Sequence, residues 1–205
     1  NIQEPPTATP STSSGDEDAA SIPIALAGTD VDGTVDFVTV TTLPTAAQGV
    51  LYLADGTTPV VAGTPITAAQ AATLVFVPAA NFNGTVTIPF TVTDNEGNVS
   101  APANEVITVN NIQEPPTATP STSSGDEDTD IAVALAGTDV DGTVVSVTVT
   151  TLPPATQGVL YLAGGVTPVV AGTPITAAQA ATLVFVPAGA VNVTMTIPNT
   201  VTDNE

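Results

Sequence analysis

One feature constrains the fold of this 205-residue chain more than any other: its second half repeats its first. Asn1 recurs as Asn111 and opens the same run, NIQEPPTATPSTSSGDED, while Asp30 recurs as Asp139. The offset therefore falls from 110 residues to 109, with one residue lost near 129–131. Solenoid repeats run to about 20–50 residues, whereas β-sandwich domains have about 100. We therefore expect two tandem domains, residues 1–110 and 111–205.

Alternating and β-branched segments between turn residues predict an all-β fold. TVTIPFTVT at 85–93 places apolar residues on one face and mostly Thr on the other, as in a half-buried strand. In the strand at 34–41, Val38 and Val40 persist as valines in the second copy, so we expect them to point inward. Further strands are expected at 22–27, 49–53, 73–77 and 104–110, and about one helical turn at 67–72.

Two positions in the 85–93 strand carry further expectations. Pro89 cannot donate a ladder hydrogen bond, so this strand should lie at a sheet edge or at a position whose N–H is not needed. Phe90 becomes Asn199 in the second copy. Because a buried unpaired amide costs about 1–3 kcal/mol, the second domain should be the weaker one.

The second copy reaches Glu205 before any counterpart of the 104–110 strand. We expect it to lack its last strand and to leave an unpaired sheet edge. Either the strand belongs to residues beyond those given, or a neighbouring molecule completes the sheet. The chain starts with Asn1 rather than Met and shows no signal peptide, so we expect a piece of a longer protein.

The charge balance excludes several classes of function. The chain has 20 acidic residues, no Lys, Arg or His, and no Cys. Nucleic acid is excluded as a partner because phosphate binding needs cations. Without His, Cys, Lys or Arg there is no ordinary general base near neutral pH and no catalytic triad, so we expect no enzyme. No apolar run approaches the roughly 20 residues of a membrane span, so we expect no membrane insertion in this segment.

The motif GTDVDGT occurs at 28–34 and again at 137–143. Its two aspartates have no basic partner anywhere, and carboxylates 4 Å apart repel by about 1 kcal/mol in water and by more when desolvated. One interpretation is a solvated acidic loop. The other is a bound cation, and Ca²⁺ fits best because it takes about 6–8 oxygen ligands. Mg²⁺ prefers octahedral, water-rich sites, and zinc sites use His or Cys. The glycines that follow, Gly33 and Gly142, are expected to relieve a tight bend.

Longer segments carry a family resemblance. TDVDG, PAANFNG, TVTDNEG and the strands around them resemble the tandem cadherin-like, immunoglobulin-like repeats of giant bacterial RTX-type surface adhesins, over nearly the entire chain. The resemblance implies two tandem immunoglobulin-like (cadherin-like) Greek-key β-sandwich domains, joined end to end with Ca²⁺ at the junctions. In the second copy PAANFNG decays to PAGAVNV at 187–193.

The resemblance also implies a set of metal ligands at the domain ends. At the upper ends these are Asp30, Asp32 and Asp94 in copy one, and Asp139, Asp141 and Asp203 in copy two. Those near the lower ends are Glu17 and Asp18, and Glu127 and Asp128. Those in the linker VNNIQEPP are Asn110, Asn111 and Glu114, although the family pattern prefers aspartates there.

We therefore expect calcium-rigidified extender repeats of a long extracellular bacterial adhesin at the cell surface, holding a distal adhesive domain away from the cell. Its partners would be neighbouring repeats of the same chain. One alternative is an adhesin module that itself binds a glycan or protein. Another is a self-assembling filament subunit with strand exchange, which would associate into fibres. An exposed aromatic in one copy only would favour a binder, and Phe37 and Phe82 alone fit that description.

Overall fold

The computed structural model describes residues 4–189 and 193–204. The chain divides into two compact units, Asn1–Ile112 and Gln113–Glu205, here called unit 1 and unit 2. Both are built from short strands, with one single-turn helix in the described part of each. The all-β prediction is confirmed.

Unit 1 is a β-sandwich. Its elements are β1 (Thr7–Thr9), β2 (Ser11–Asp16), β3 (Ile22–Ile24), β4 (Ala27–Thr29), β5 (Val35–Val40), β6 (Gly49–Tyr52), β7 (Ile66–Thr67), α1 (Ala68–Ala71), β8 (Leu74–Pro78), β9 (Gly84–Asp94) and β10 (Ala103–Asn110). The larger sheet has the order β2-β10-β9-β5-β7, the smaller one has the order β3-β8-β6, and β1 pairs with β4. Within the larger sheet, β10 runs parallel to β2 and antiparallel to β9.

The core of unit 1 lies between these two sheets. Phe90 of β9 and Phe76 of β8 are fully buried, one from each sheet. Burying each such side chain contributes about 1.5–3 kcal/mol. On β5, Val38 and Val40 are buried while Phe37 is 41 % exposed, which confirms the predicted inward face.

All the predicted strands form in unit 1, and the predicted helical turn is α1. Its first turn is held by Thr67, whose hydroxyl accepts a hydrogen bond from the Gln70 amide while the Gln70 side chain accepts one from the Thr67 amide. The segment 22–27 is shorter than expected, because β3 ends at Ile24 and β4 begins at Ala27.

The prediction that the 85–93 strand lies at a sheet edge is wrong, because β9 is an interior strand between β10 and β5. Pairing with β5 begins at Phe90, next to Pro89. The Pro89 carbonyl accepts the Thr41 amide at 2.9 Å. Pro89, which has no N–H, therefore lies where β9 changes from pairing with β10 to pairing with β5. This fits the other expectation, that Pro89 occupies a position whose N–H is not needed.

Unit 2 repeats this plan with differences in strand pairing. Its elements are β11 (Thr117–Thr119), β12 (Thr122–Gly125), β13 (Ile131–Val133), β14 (Ala136–Thr138), β15 (Ser146–Val149), β16 (Gly158–Tyr161), β17 (Pro174–Thr176), α2 (Ala177–Ala180), β18 (Leu183–Pro187), β19 (Val193–Thr196) and β20 (Asn199–Thr202). Its sheets are β13-β18-β16, β17-β15-β20, β11-β14 and β12-β19.

The expected open edge in unit 2 is closed by a different strand. In unit 1, β10 separates β2 from β9, whereas in unit 2 the equivalent strands β12 and β19 pair directly. No described strand of unit 2 occupies the position of β10, so the backbone groups of β19 bond to the next strand instead. The expectation of an unpaired edge is therefore wrong for β19.

Candidate metal centre

Three carboxylates converge at one end of unit 1. Asp94 is the last residue of β9, Glu96 lies in the turn after it, and Asp30 directly follows β4. One oxygen from each lies within 4.8 Å of the others. Asp94 is buried, Asp30 half-buried and Glu96 exposed. The group therefore combines a rigid buried ligand with one that reaches solvent.

Asp94 is held in place by the turn that follows it. Its Oδ1 accepts the amides of Glu96 at 2.9 Å and Asn98 at 2.8 Å, and its Oδ2 accepts the Asn98 side-chain amide at 2.9 Å. Burial raises the pKa of Asp94, but the hydrogen bonds from Asn98 and Glu96 outweigh it and lower the pKa below its ordinary value. Asp94 is thus a preorganised anion.

Asp30 stands in a different environment. Both of its carboxylate oxygens are buried, and neither has a hydrogen-bond partner in the described part of the chain. No Lys, Arg or His exists in the sequence to neutralise it. A buried carboxylate without a donor or cation carries a desolvation cost of several kcal/mol. The donor set fits a hard cation such as Ca²⁺, since all the available ligand atoms are oxygens.

The loop backbone is shaped around this group. A Cβ atom at Gly33 would lie 2.6 Å from Oδ2 of Asp30 and 2.9 Å from Oε2 of Glu96, and would also collide with Oδ1 of Asn95. Gly33 does not adopt a positive φ. Within this bend, Gly33 leaves room for the surrounding side-chain oxygens.

Asn95 joins the two loops that carry the carboxylates. Its Oδ1 accepts the Thr34 amide at 2.8 Å, and its Nδ2 donates to Oε1 of Glu96 at 2.8 Å. The backbone amide of Asn95 also donates to the Thr34 carbonyl at 3.0 Å. Asn95 and Glu96 were both missed as site residues, although both stand beside Asp94 in the motif TVTDNEG.

Asp32 lies outside this group of three. It is exposed, and its two carboxylate oxygens accept the backbone amide of Glu4 at 3.4 and 3.3 Å. Asp32 thereby ties the segment preceding β1 to the loop that carries Asp30.

Unit 2 repeats the same contacts. The Glu114 amide donates to Oδ2 of Asp141 at 3.2 Å, as Glu4 does to Asp32. Oδ1 of Asp139 is buried without a hydrogen-bond partner among the described residues. A Cβ atom at Gly142 would lie 2.6 Å from Oδ2 of Asp139. The Thr143 amide donates to Oδ1 of Asn204 at 2.7 Å.

The second unit's remaining acidic positions are only partly described. Asp203, the equivalent of Asp94, is half-buried. Glu205, the equivalent of Glu96, lies outside the described residues.

The opposite end of unit 1 gathers a second polar set around Glu17, which is 3 % exposed. Its Oε1 accepts the Ile112 amide at 2.7 Å, and its Oε2 accepts the Asn83 side-chain amide at 3.3 Å. Asn83 also donates to Oδ1 of Asn111 at 2.7 Å. Asn83, which was not predicted as a site residue, therefore connects Glu17 to the linker.

The other residues predicted for this end lie at the surface. Asn110 is exposed, and its side-chain amide donates to Asp16 at 3.1 Å. Asp18 is exposed, as are Glu127 and Asp128 in unit 2. Asp128 has a φ of 60°, in the loop where the second copy is one residue shorter.

Comparison with known protein families gives one match. Residues 3–109, which are 107 of the 205 residues, match the family model described as Bacterial Ig domain. No curated protein matches the chain. In the described residues, no helix is long and apolar enough to cross a bilayer.

Solved structures of cadherin fragments align with the chain at TM-scores below 0.5. Extracellular cadherin domains 1–4 of protocadherin gamma B7 align with a TM-score of 0.47 and 11 % identity, over 97 % of this chain and 49 % of that one. Drosophila N-cadherin EC1-3 aligns with a TM-score of 0.34 and 12 % identity, over 98 % of this chain and 66 % of that one. Drosophila N-cadherin EC1-4 gives 0.35 and 9 %, over 98 % and 50 %. The chain spans about half to two thirds of the length of these fragments.

Proposed function

Because the chain belongs to the bacterial Ig domain family, we propose that it consists of extender repeats of a long extracellular bacterial adhesin, rigidified by calcium. Family membership confirms the immunoglobulin-like fold expected from the sequence. The repeats, which we place at residues 1–110 and 111–205, would act mechanically at the cell surface. Each would hold a distal adhesive domain further from the cell.

The observation that carries the calcium proposal is the state of Asp30. Its two buried oxygens have no donor among the described residues, yet they stand within reach of the Asp94 and Glu96 carboxylates. Three like charges gathered in a chain without a cation repel one another, and the repulsion grows with desolvation. A divalent ion held by Asp30, Asp94 and Glu96 would convert this repulsion into attraction.

In unit 2 the corresponding ligands would be Asp139 and Asp203. The contacts made by Gly142 and Asn204 support this assignment because they repeat those of unit 1. Ca²⁺ fits these loops better than Mg²⁺ because it accepts irregular sets of carboxylate and carbonyl oxygens.

Rigidity would come from the segments attached to these loops. Asp32 and Asp141 bond to the amides of Glu4 and Glu114, in the segments that precede each sandwich. An ion that orders the Asp30 loop would thereby also order the start of the unit. Near the other end of unit 1, Glu17 and Asn111 remain candidate ligands, and both are already drawn together by Asn83.

The extender proposal is favoured over a ligand-binding module by the surface of unit 1. Phe37 is 41 % exposed and is replaced by Ser146 in unit 2, and Phe82 packs partly buried against the core. Two separate side chains of this kind do not form an aromatic platform for a glycan or protein.

Thermal unfolding with calcium, with magnesium and with chelator tests the proposal. Extracellular calcium modules bind with Kd values of about 10⁻⁴–10⁻³ M. Ligand at 100 times Kd stabilises the folded state by about 2.7 kcal/mol per site, so calcium should raise the unfolding temperature of both units. Magnesium should do so less. Small-angle scattering should show a longer particle with calcium than with chelator. If chelator changes neither the melting curve nor the particle length, the proposal is wrong.

A further inference from the structure

Three side chains of unit 1 hold the start of the linker beside Glu17. Nδ2 of Asn83 donates to Oε2 of Glu17 at 3.3 Å and to Oδ1 of Asn111 at 2.7 Å. The Ile112 amide donates to the other oxygen of Glu17, Oε1, at 2.7 Å. We call Glu17, Asn83 and Asn111 the linker clasp. A single amide nitrogen, Nδ2 of Asn83, therefore connects the other two members of the clasp.

The linker clasp depends on a hydrogen-bond donor at residue 83. Both atoms that face Nδ2 are acceptors, a carboxylate oxygen of Glu17 and the amide oxygen of Asn111. An ionised carboxylate can only accept hydrogen bonds. An aspartate at residue 83 would therefore lose both bonds and would place a second negative charge beside Glu17, which is 3 % exposed. Like charges repel more strongly when they are partly desolvated.

Asn83 is followed by Gly84, and this is the only Asn–Gly pair in the sequence. The backbone nitrogen of the residue after an asparagine can attack the side-chain carbonyl carbon of that asparagine. A side chain on the attacking residue hinders this approach, and glycine has none. In the second copy the equivalent Asn192 is followed by Val193, which carries a stiff β-branched side chain. The sequence thus favours this reaction in unit 1.

The structure around the Asn83–Gly84 peptide permits the reaction. Both residues are exposed, so water reaches them. The nearest atom to a Cβ built on Gly84 is Cζ of Phe82, 3.9 Å away, so the space beside this peptide is open. Gly84 is also the first residue of β9, opposite Val109 at the end of the ladder. The peptide can therefore turn towards the Asn83 side chain without breaking the interior of the strand.

We propose that Asn83 is a site of spontaneous deamidation, which opens the linker clasp. The Gly84 backbone nitrogen loses its proton and attacks Cγ of Asn83, forming a new C–N bond. The Cγ–Nδ2 bond then breaks, and Nδ2 leaves as ammonia after taking up one proton from the solvent. Water hydrolyses the resulting five-membered succinimide at either of its carbonyl groups, giving aspartate or isoaspartate. Water is the only co-reactant, and nothing is oxidised or reduced.

The product cannot restore the contacts of the clasp. The nitrogen that joined Glu17 to Asn111 is gone, and the new carboxylate repels Glu17. The start of the linker is then attached to Glu17 by the Ile112 amide, next to this added charge. The clasp therefore has a lifetime that is set by the chemistry of one peptide. This inference does not depend on calcium binding.

Mass spectrometry of the full chain tests the modification. The parent is incubated in mildly alkaline buffer with chelator, and samples are digested with pepsin, whose acidic conditions suppress further deamidation. The peptide that contains Asn83 should change from amide to acid with time and should contain isoaspartate as well as aspartate. Asn98 and Asn192, which both precede valine, are the internal controls and should convert roughly an order of magnitude more slowly.

Thermal unfolding in chelator tests the effect on the clasp. The deamidated chain, separated from the fresh chain by ion exchange, should show a lower unfolding temperature for unit 1. The expected shift is about 4 °C, as for the loss of one or two hydrogen bonds in a domain of this size. N83D should reproduce this shift. The matched control is N81D, which adds the same charge at an exposed residue of the same loop outside the clasp.

Two results would overturn the proposal. One is a folded chain that keeps the amide of Asn83 while a synthetic peptide of residues 79–88 loses it under the same conditions. The other is the same unfolding temperature for N83D and N81D. Because chelator is present throughout, neither result depends on whether the chain binds calcium.

Discussion

The backbone of Gly33 passes so close to Asp30 that a Cβ atom on residue 33 would lie 2.6 Å from the Asp30 Oδ2 atom. Real Cβ atoms do not approach an oxygen so closely, so G33A should push Asp30 and Glu96 away from each other. We expect this variant to lose one calcium site per chain in a calorimetric titration. Its calcium-dependent stabilisation of unit 1 should fall by about 1–3 kcal/mol.

A matched glycine is available as a control for G33A. At Gly189 the nearest atom to an added Cβ is Oδ1 of Asp128 at 3.7 Å, an ordinary contact. G189A should therefore leave the titration unchanged. A G33A chain that binds calcium as the parent does would show that the three carboxylates do not form the site.

Removing the charge of Asp30 should have opposite effects with and without calcium. In chelator, D30N removes repulsion from Asp94 and Glu96, so unit 1 should unfold at a higher temperature, by an amount corresponding to about 1 kcal/mol. The rise in unfolding temperature on adding calcium should be smaller for D30N than for the parent, because a ligand is lost. The exposed Asp36 on the adjacent strand provides the control, D36N, which should leave the calcium effect unchanged. If D30N changes the unfolding temperature by the same amount in calcium and in chelator, Asp30 is not a calcium ligand.

The loss of stability in acid should reveal the hydrogen bonds that the turn around Asp55 makes to its carboxylate. Hydrogen bonds from the Thr58 side chain and from the Thr58 and Thr57 amides lower the pKa of Asp55 from 3.8 to about 2. A carboxyl with a lowered pKa stabilises the folded state above its unfolded pKa, and this contribution is lost as the pH falls through the folded value. Between about pH 4 and pH 2, the parent should therefore lose more stability than D55N, as measured by denaturant unfolding.

Unit 2 carries Gly164 at the position of Asp55 and serves as the internal control. Its unfolding transition should have the same pH dependence in the parent and in D55N. If the parent and D55N lose stability equally across this range in unit 1, the turn does not favour the charged form of Asp55.

Glu105 is a fully buried acidic residue in the core of unit 1. Its Oε2 accepts the Ser11 hydroxyl, and its Oε1 has no hydrogen-bond partner in the described chain. Replacing a buried ion pair by apolar residues of similar volume is often neutral or stabilises a protein by about 1–4 kcal/mol. Glu105 has no basic partner in this sequence to offset its burial. We expect E105M to raise the unfolding free energy of unit 1 by an amount in this range.

The neighbouring exposed position supplies the comparison for E105M. N104M should change stability by no more than about 0.5 kcal/mol. In E105M the Ser11 hydroxyl loses Glu105 as an acceptor but keeps the Ala25 carbonyl, which is 3.4 Å away. A destabilised E105M chain would mean that the Glu105–Ser11 contact contributes more than the burial of the carboxylate costs.

Asn199 is the residue for which we expect unit 2 to be less stable than unit 1. It is half-buried, and its Nδ2 atom is buried without a hydrogen-bond partner among the described residues. The equivalent Phe90 is fully buried. N199F should therefore raise the stability of unit 2 by about 1–3 kcal/mol in thermal unfolding. T200F, at the exposed neighbouring position, should not reproduce the gain, and a lower unfolding temperature for N199F would show that unit 2 has no room for the ring.

Sequence periodicity predicted those parts of the fold whose side chains alternate between core and solvent. The 85–93 strand and the inward face of Val38 and Val40 belong to this class, because burial itself produces the pattern. Strands β1 and β2 were not predicted. Their Thr- and Ser-rich residues present no apolar stripe, and they are held by backbone pairing to β4 and β10, which sequence patterns do not encode.

The candidate site was predicted only in part, because hydrogen bonds that sequence patterns do not encode also position its residues. Asp30 and Asp94 were identified together through the family resemblance. Glu96 was not chosen, because the turn that carries it back towards Asp30 depends on the hydrogen bonds of Asp94 and Asn98. The direction of Asp32 depends on Glu4, which is 28 residues away, so spacing within the motif could not reveal it.

The parallel pairing of β2 and β10 has a consequence for the way unit 1 responds to tension. A pull on the two ends of the unit enters β2 at Ser11 and leaves β10 at Asn110, and these residues lie at opposite ends of the same ladder. The force therefore acts along the strands and loads all the hydrogen bonds of the ladder at once, in shear. An antiparallel pair pulled from one end would open bond by bond at a much lower force. Unit 1 is thus built to resist stretching through a ladder six residues long.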